Sequence, residues 1–467
     1  MIMPHRKVDT VIIGAGTAGL YALSEVKKSG RSWLLIQGGE DGTTCARVGC
    51  MPSKVLLKTA ELFSSKNQFE DQGIIGSSHI QIDSVAVMTH LRKMRDRFTN
   101  GVRGRTTDRM DGQHLIRGYA EFIDNNRLRV NDDVIEFENA IVATGSSPVI
   151  PKPWQNLPNL YTTDTFFELE SLPSSIAIIG MGAIGLEMGQ ALSQLGVRVS
   201  GFDQASTIAG IQDATLLEEA IDSLSATFPI HLGESVMLNA NETGGINVVR
   251  NGIQESFDAV LLALGRRPNT SNINLEAAGA VLKDGDVNFD EQTMSVEGTA
   301  LFIAGDSTSE RAVMHEAADE GLIAGYNVNQ SAPKKFKRKT ALGIVFTQPN
   351  IARVGDLAED ESTLSALVKL STNGRAKVKH STAGGIKLIA DRETEAIRGA
   401  EIVSVDGEHL AHLIAWSIEQ NLTATQLSKM PTYHPVVEEA LSACVDSLTH
   451  QLQPQSSSAE IKLSLLD

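Results

Sequence analysis

The sequence predicts an α/β fold divided into several domains, and three observations carry that reading. A strand–glycine loop–helix–strand pattern occurs twice. The 467 residues exceed what one hydrophobic core organises, and the composition, 42% hydrophobic and 21% charged, is that of a globular chain. Domains usually run to about 100–200 residues, so about two to four are expected.

The first copy of the pattern opens with Val8 to Ile13, a β-branched run that reads as a strand. It continues through Gly14-Ala15-Gly16-Thr17-Ala18-Gly19 into a helical stretch, Leu20 to Lys28, and a second strand, Trp33 to Ile36. The second copy runs from the strand Ile176 to Ile179 through Gly180-Met181-Gly182-Ala183-Ile184-Gly185, a helix over about Leu186 to Leu195, and the strand Val197 to Phe202. Each glycine has a physical role. The first makes the tight turn, the second lets backbone approach a pyrophosphate, and the third lets helix and strand pack closely. The helix N-terminus then offers free N–H groups and the positive end of its dipole to the phosphates. Two such units predict two Rossmann-like dinucleotide-binding domains, most economically one for FAD and one for a nicotinamide cofactor.

Twenty-three positions beyond the first glycine of each loop, an acidic side chain normally accepts hydrogen bonds from ribose hydroxyls. The second copy has Asp203 there and the first has Gln37. A carboxylate at 203, with no Arg in the following Gln204-Ala205-Ser206, favours NAD over NADP, because it would repel a 2′-phosphate. Gln37 can still exchange hydrogen bonds with a ribose, without charge assistance. Glu40 is the neighbouring carboxylate that could take over.

The net charge of −16 argues against nucleic acid as a ligand, since phosphate backbones are bound by clustered Lys and Arg. No stretch approaches the roughly 18 apolar residues of a membrane helix, and Val11-Ile12-Ile13 enters the glycine loop without a secretion signal, so the cytoplasm is the expected compartment. The three cysteines, Cys45, Cys50 and Cys444, are too few for a disulfide-stapled secreted protein. Structural zinc lacks a second Cys/His pair, and Cys444 reads as a small hydrophobe.

Cys45 and Cys50 lie in Thr43-Thr44-Cys45-Ala46-Arg47-Val48-Gly49-Cys50-Met51-Pro52-Ser53-Lys54, ahead of a helical run from Val55 to Phe63. Helix N-termini and nearby cations favour the reactive thiolate, and Arg47 and Lys54 supply local positive charge. Spacing alone leaves open whether the two sulfurs meet.

This segment resembles the C-x-x-x-x-C-x-P-S-K redox motif of the pyridine nucleotide–disulfide oxidoreductases, especially their dihydrolipoamide dehydrogenases, and the likeness covers nearly the whole chain. Ala143-Thr144-Gly145 resembles the family's exit from the flavin domain. Leu264-Gly265-Arg266-Arg267-Pro268-Asn269 resembles its return from the nicotinamide domain. Ile303-Ala304-Gly305-Asp306 is similar to the second flavin motif, whose Asp binds the ribityl chain, and Met314-His315-Glu316-Ala317 to the helix start that touches the flavin ring. Phe346-Thr347-Gln348-Pro349 resembles the opening of the interface domain, with Asn350 where Glu is usual. His434-Pro435-Val436-Val437-Glu438-Glu439 resembles the H-P-x-x-x-E motif, in which His is the general acid–base and Glu orients it; Val436 stands for the usual Thr. The resemblance further implies that Lys54 and Glu187 form an ion pair near the flavin, and that Thr44, Ala120, Gly145 and Gly265 lie at cofactor contacts.

The implied architecture is a flavin-binding segment over 1–148, a nicotinamide domain over 149–265, a flavin return segment over 266–340, and a C-terminal α+β interface (dimerisation) domain over 341–450. Within the last, Ile386 to Ile389 reads as a strand and Leu410 to Ile418 as a helix; a polar tail follows over 451–467. The implied chemistry has a substrate dithiol deprotonated by His434 of a neighbouring subunit, Cys45 exchanging with it, and Cys50 passing two electrons through FAD to NAD. A homodimer is therefore implied. No lipoyl domain precedes residue 8, so a lipoyl group would come from a free molecule or a partner such as a 2-oxoacid dehydrogenase complex. Mercuric, glutathione-type or transhydrogenase-like activity, or a non-catalytic flavin-binding redox sensor, are the alternatives. Asp203, the lone Cys444 and the paired Cys45 and Cys50 count against them.

Overall fold

The computed structural model describes residues 5–242 and 244–452. The predicted polar tail therefore lies, from residue 453 onward, outside the described residues.

Strand β1 (His5–Ile13) leads through the first glycine loop into helix α1 (Thr17–Val26) and strand β2 (Trp33–Gln37). Helix α2 (Cys50–Ser64) follows, and strand β3 (Asp133–Val142) lies parallel to β1 on the side away from β2. Successive side chains of the buried strands serve opposite faces. Val11, Ile13, Leu34 and Ile36 join one core; Ile12 and Leu35 join another with Ala18, Ala22 and Val26 of α1.

A two-stranded ribbon, Ser146–Pro148 against Arg266–Pro268, is where the chain crosses to the second sheet and comes back. Beyond it, strand β4 (Ser175–Ile179), helix α3 (Ala183–Gln194) and strand β5 (Arg198–Phe202) repeat the first unit. Strand β6 (Ala259–Leu262) pairs parallel to β4 on its other edge. The returning chain adds strand β7 (Leu301–Ile303) to the first sheet beside β3, then forms helix α4 (Met314–Asn327). α4 shares the α1 core through Ala317, Ile323 and Ala324.

The last unit is an antiparallel sheet of β8 (Leu342–Val345), β9 (Asn350–Gly355), β10 (Thr363–Lys369), β11 (Gly385–Asp391) and β12 (Ile397–Ser404), in the spatial order β8-β9-β12-β11-β10. Helices α5 (Gly407–Glu419) and α6 (Glu439–Leu452) bury Leu410, Ile414, Val445 and Leu448 against it. Among the described residues no helix is long and apolar enough to cross a membrane.

Four helices begin earlier than the sequence predicts, α5 by one turn at Gly407. α1 and α3 start inside their glycine loops, at Thr17 and Ala183, because Gly19 and Gly185 are helical residues. A Cβ at either would stand 1.8 Å from the carbonyl oxygen of Gly14 or Gly180. α2 starts at Cys50, with Pro52 in its first turn, where a missing N–H costs no helical hydrogen bond. Gly16 and Gly182, by contrast, have nothing within 4 Å of a built Cβ. Gly19→Ala should accordingly destabilise the apoprotein by about 1–3 kcal/mol through overpacking, while Gly16→Ala leaves its denaturant midpoint unchanged. Equal midpoints for the two variants would contradict this division of roles.

Candidate redox and dinucleotide site

Both glycine loops are built alike. Gly14 and Gly180 have φ of +112° and +104°, where an L side chain is strained, and a Cβ would strike the backbone oxygen of Ala143 or Ala263. With Gly16 and Gly182 left open, each loop presents bare backbone and a helix N-terminus to one side. That is the cradle a pyrophosphate needs.

The residues 23 positions on act first on the protein itself. Asp203 accepts the Met181 N–H (2.7 Å) and the Ala205 N–H (2.9 Å). Gln37 does the same with its amide oxygen, accepting the Ala15 N–H at 2.7 Å, while its amide nitrogen donates to the carbonyls of Glu40 (3.1 Å) and Gly38 (3.3 Å). Glu40, the neighbouring carboxylate, is exposed and paired with Arg47 at 2.7 Å. That pairing also removes Arg47 from the expected cation pair around the thiols. Ala120 is buried on the edge strand Ala120–Phe122, two residues after Gly118, whose N–H donates to the Gln37 carbonyl at 3.0 Å. Tyr119, 77% exposed, lies against Gly38, a neighbour that sequence reasoning passed over.

The Thr43 side chain caps the short helix Thr44–Arg47 by accepting the Ala46 N–H, and this turn holds Cys45. Cys50 is the first residue of α2. Both are free thiols. The neighbouring Cys45 thiol lowers the Cys50 thiol to about 7, with the Lys54 ammonium adding to the effect. The Cys50 sulfur beside it, together with burial, raises the Cys45 thiol.

Lys54, one turn along α2, meets Glu187 of α3 at 2.7 and 2.9 Å. Glu187 is 4% exposed and also accepts the Phe346 N–H at 3.0 Å, and the Lys54 ammonium lies 4.5 Å from the centre of the Phe346 ring. Phe346 is thus a third member of the pair, invisible in sequence because it lies in another unit of the chain.

One cavity of about 570 Å³ connects these groups. It runs from Gly16, Thr44 and Gly145 past Asp306, Met314 and His315 to Cys45, Cys50, Lys54 and Glu187. Asp306 is steadied by the Ser146 hydroxyl (2.7 Å), which itself accepts from Arg266 (2.8 Å); Arg266 also pairs with Asp164 (3.1 Å). Gly265, at φ +83°, precedes Arg266 as the chain leaves the second sheet. The open glycines, the helix N-termini and the cavity's reach to Cys50 fit a dinucleotide with its ring beside the thiols. Among the described residues no three metal-ligating side chains are grouped to hold a metal ion.

His434 and Glu439 do not line this cavity. They form a dyad elsewhere: His434 Nδ1 lies 2.8 Å from Glu439 Oε1, and the second Glu439 oxygen accepts the Val436 N–H at 3.2 Å. The His434 hydrogen bond holds the Glu439 carboxyl below its ordinary range. Because a carboxylate only accepts, Nδ1 carries the proton and Nε2 is free, on a side chain 80% exposed. Asn350 acts within the dimerisation sheet: it donates to the Thr347 carbonyl (2.7 Å) and accepts the Glu408 N–H (3.3 Å), capping α5. Cys444 is buried, its thiol pushed up to about 12 by that burial.

Comparison with known proteins agrees with this geometry. Residues 8–321 match the pyridine nucleotide-disulphide oxidoreductase family and residues 342–444 its dimerisation domain. The chain is 30% identical over 437 residues to a mercuric reductase of Staphylococcus aureus, covering 90% of this chain and 78% of that protein. It is 28% identical over 458 residues to the dihydrolipoyl dehydrogenase of Vibrio parahaemolyticus, covering 94% and 95%. The HOCl-induced flavoprotein disulfide reductase RclA from Escherichia coli has the same fold, with a TM-score of 0.82 at 24% identity over 95% of this chain and 99% of that one. The chain belongs to the pyridine nucleotide-disulphide oxidoreductase family and takes that family's FAD and pyridine nucleotide as cofactors.

Proposed function

We propose that this flavoprotein disulfide oxidoreductase oxidises a small dithiol, dihydrolipoamide or a protein-borne dihydrolipoyl group, with NAD as the final acceptor. The observation that carries the reading is the thiol pair: Cys50, lowered to about 7 at a helix N-terminus, shares one cavity with the glycine loop, Asp306 and the Lys54–Glu187 pair. FAD, when bound, supplies a two-electron acceptor beside Cys50, and NAD a hydride acceptor beyond it.

The residues divide the work. In the oxidised enzyme Cys45 and Cys50 are joined as a disulfide. A substrate thiolate, its proton taken by His434 Nε2, attacks the Cys45 sulfur, and the Cys50 thiolate leaves. A low thiol pKa makes Cys50 the better leaving group. The second substrate thiol then attacks the mixed disulfide at the substrate sulfur, its proton passes to the departing Cys45 thiolate, and the cyclic disulfide product is released. Lys54, fixed by Glu187 and covered by Phe346, keeps a positive charge at the end of the cavity where electrons arrive. Gly16, Gly145 and Thr44 hold the flavin dinucleotide, with Gln37 and Ala120 at its adenosine end. Gly180, Gly182 and Asp203 hold NAD, and Gly265 sits at the turn beyond.

The exposed His434–Glu439 dyad, outside this chain's own cavity and within the matched dimerisation domain, supports a homodimer in which each copy completes the other's site. The identity to a mercuric reductase keeps metal reduction in view. Cys444, buried and high in pKa, offers no accessible second thiol pair for that role.

Three outcomes test the proposal. Cys45→Ser should abolish NADH formation from dihydrolipoamide while the protein still copurifies with FAD; turnover at the wild-type rate would remove Cys45 from the reaction. His434→Gln should lower kcat by about 10²–10⁴. Mixing it with Cys45→Ser under conditions of subunit exchange should recover activity that neither variant has, and no recovery would argue against a site shared between copies. In steady-state kinetics NAD should show a higher kcat/KM than NADP, and the reverse order would overturn the role given to Asp203. Parallel assays with glutathione disulfide, Hg(II) and isolated lipoyl domains of 2-oxoacid dehydrogenase complexes distinguish the substrate classes.

A further inference from the structure

Residues 333–341 join α4 to β8 without regular secondary structure, yet they are stitched on both sides. Toward the dimerisation domain, the Thr340 N–H and hydroxyl both donate to Glu419 Oε2, at 3.0 and 2.8 Å, and Lys337 pairs with Glu419 at 3.5 Å. Glu419 is the last residue of α5. Toward the flavin-binding unit, Lys339 pairs with Asp319 of α4 at 2.8 Å. Between them Arg338 turns inward and meets two buried carboxylates of α4, Glu316 and Glu320, each at 2.7 Å.

Glu320 is fully buried, and its second oxygen accepts the Gly305 N–H at 2.7 Å. Gly305 has φ +74°, and a Cβ there would come within 2.8 Å of the Ala18 side chain, so this turn is pressed against α1. It sets the direction of the next residue, Asp306, on the cavity wall. A continuous path thus runs from Glu419 through Thr340 and Arg338 to Glu320, Gly305 and Asp306.

Stability alone gives a poor account of this network. Arg338 reaches both carboxylates through one nitrogen, Nη2, while its Nε and Nη1 are buried without an acceptor among the described residues. Burying ion pairs in this way usually contributes no more than apolar packing would. What the charges do secure is one geometry: Glu320 bridges the two, with one oxygen on Arg338 and the other on the Gly305 N–H.

We propose that Arg338 and Glu320 are a positioning pair that makes the flavin-binding turn at Gly305–Asp306 depend on the seating of the dimerisation domain. This rests on the reading of Asp306 as a flavin contact. Loss of the strap's grip on α5 loosens FAD, and bound FAD in turn tightens the strap, since coupling between two sites is reciprocal.

The test uses full-length holoenzyme and four variants. Thr340→Val/Glu419→Gln releases the strap at its outer end, away from the cavity. Arg338→Met/Glu316→Gln removes the Arg338 ion pairs without changing net charge, and Arg338→Lys keeps the charge on a donor group of different shape. FAD dissociation, followed by the rise in flavin fluorescence, should be about tenfold faster in both double variants, with Arg338→Lys intermediate. The flavin midpoint potential should shift in the same order. Wild-type dissociation rates and potentials, with only a lowered Tm, would show a merely structural strap and overturn the proposal. If Arg338→Met/Glu316→Gln does not fold, the outer variant decides alone. Asp306→Ala separates the two levels. If it loses FAD while the strap variants retain it, this inference fails and the site reading stands. If it retains FAD, the reading of the turn itself fails.

Discussion

Each dinucleotide unit depends on how closely a helix can approach the strand before it. Gly19 and Gly185 sit where any side chain would overlap a loop carbonyl, and their absence of Cβ lets α1 and α3 begin directly at the strand ends. The consequence is directional. The N-termini of four helices, α1 at Gly16 and Thr17, α2 at Cys50, α3 at Ala183 and Ile184, and α4 at Met314, line a single cavity. Each brings unpaired N–H groups and the positive end of a dipole. In a chain of net charge −16 this is a local site suited to pyrophosphate and thiolate. The same device, used at different helices, would serve both a ligand phosphate and a thiolate.

Side-chain charges refine that field. Lys54 in α2 is paired with Glu187 of α3, and its charge favours the Cys50 thiolate. Cys45 and Cys50 are made unequal by their closeness: Cys45 is raised and Cys50 lowered. That asymmetry suits the roles proposed for them, exchange at Cys45 and departure of Cys50. His434 is oriented by Glu439 but stands away from the cavity of its own chain, so the acid–base role proposed for it would need a second copy of the chain.

Legibility in the sequence followed the range of the interactions. The glycine loops were readable because they answer to local backbone geometry, and Cys45 and Cys50 because they are near neighbours. The starts of α1 and α3 were misjudged for the same reason: a glycine inside a first turn looks like loop until its packing against a carbonyl is seen. Arg47 read as a thiol activator because it lies between the cysteines, but a carboxylate at Glu40 claims it. Gln37 read as a ribose contact alone. Its neutral amide in fact ties loop to strand, accepting and donating at once in a way a carboxylate could not.

The amino-acid order by itself determined the two α/β units, the redox motif and the family they resemble, since these rest on residues close together in the chain. Tertiary structure decided what brings distant residues together. It set Lys54 against Glu187 and Phe346, ran Asp306 through Ser146 to Arg266, and joined the dimerisation domain to the flavin turn through Arg338 and Glu320. These contacts span from about eighteen to more than one hundred and fifty residues. Their existence depends on how sheets and helices pack, which no spacing in one sequence expresses.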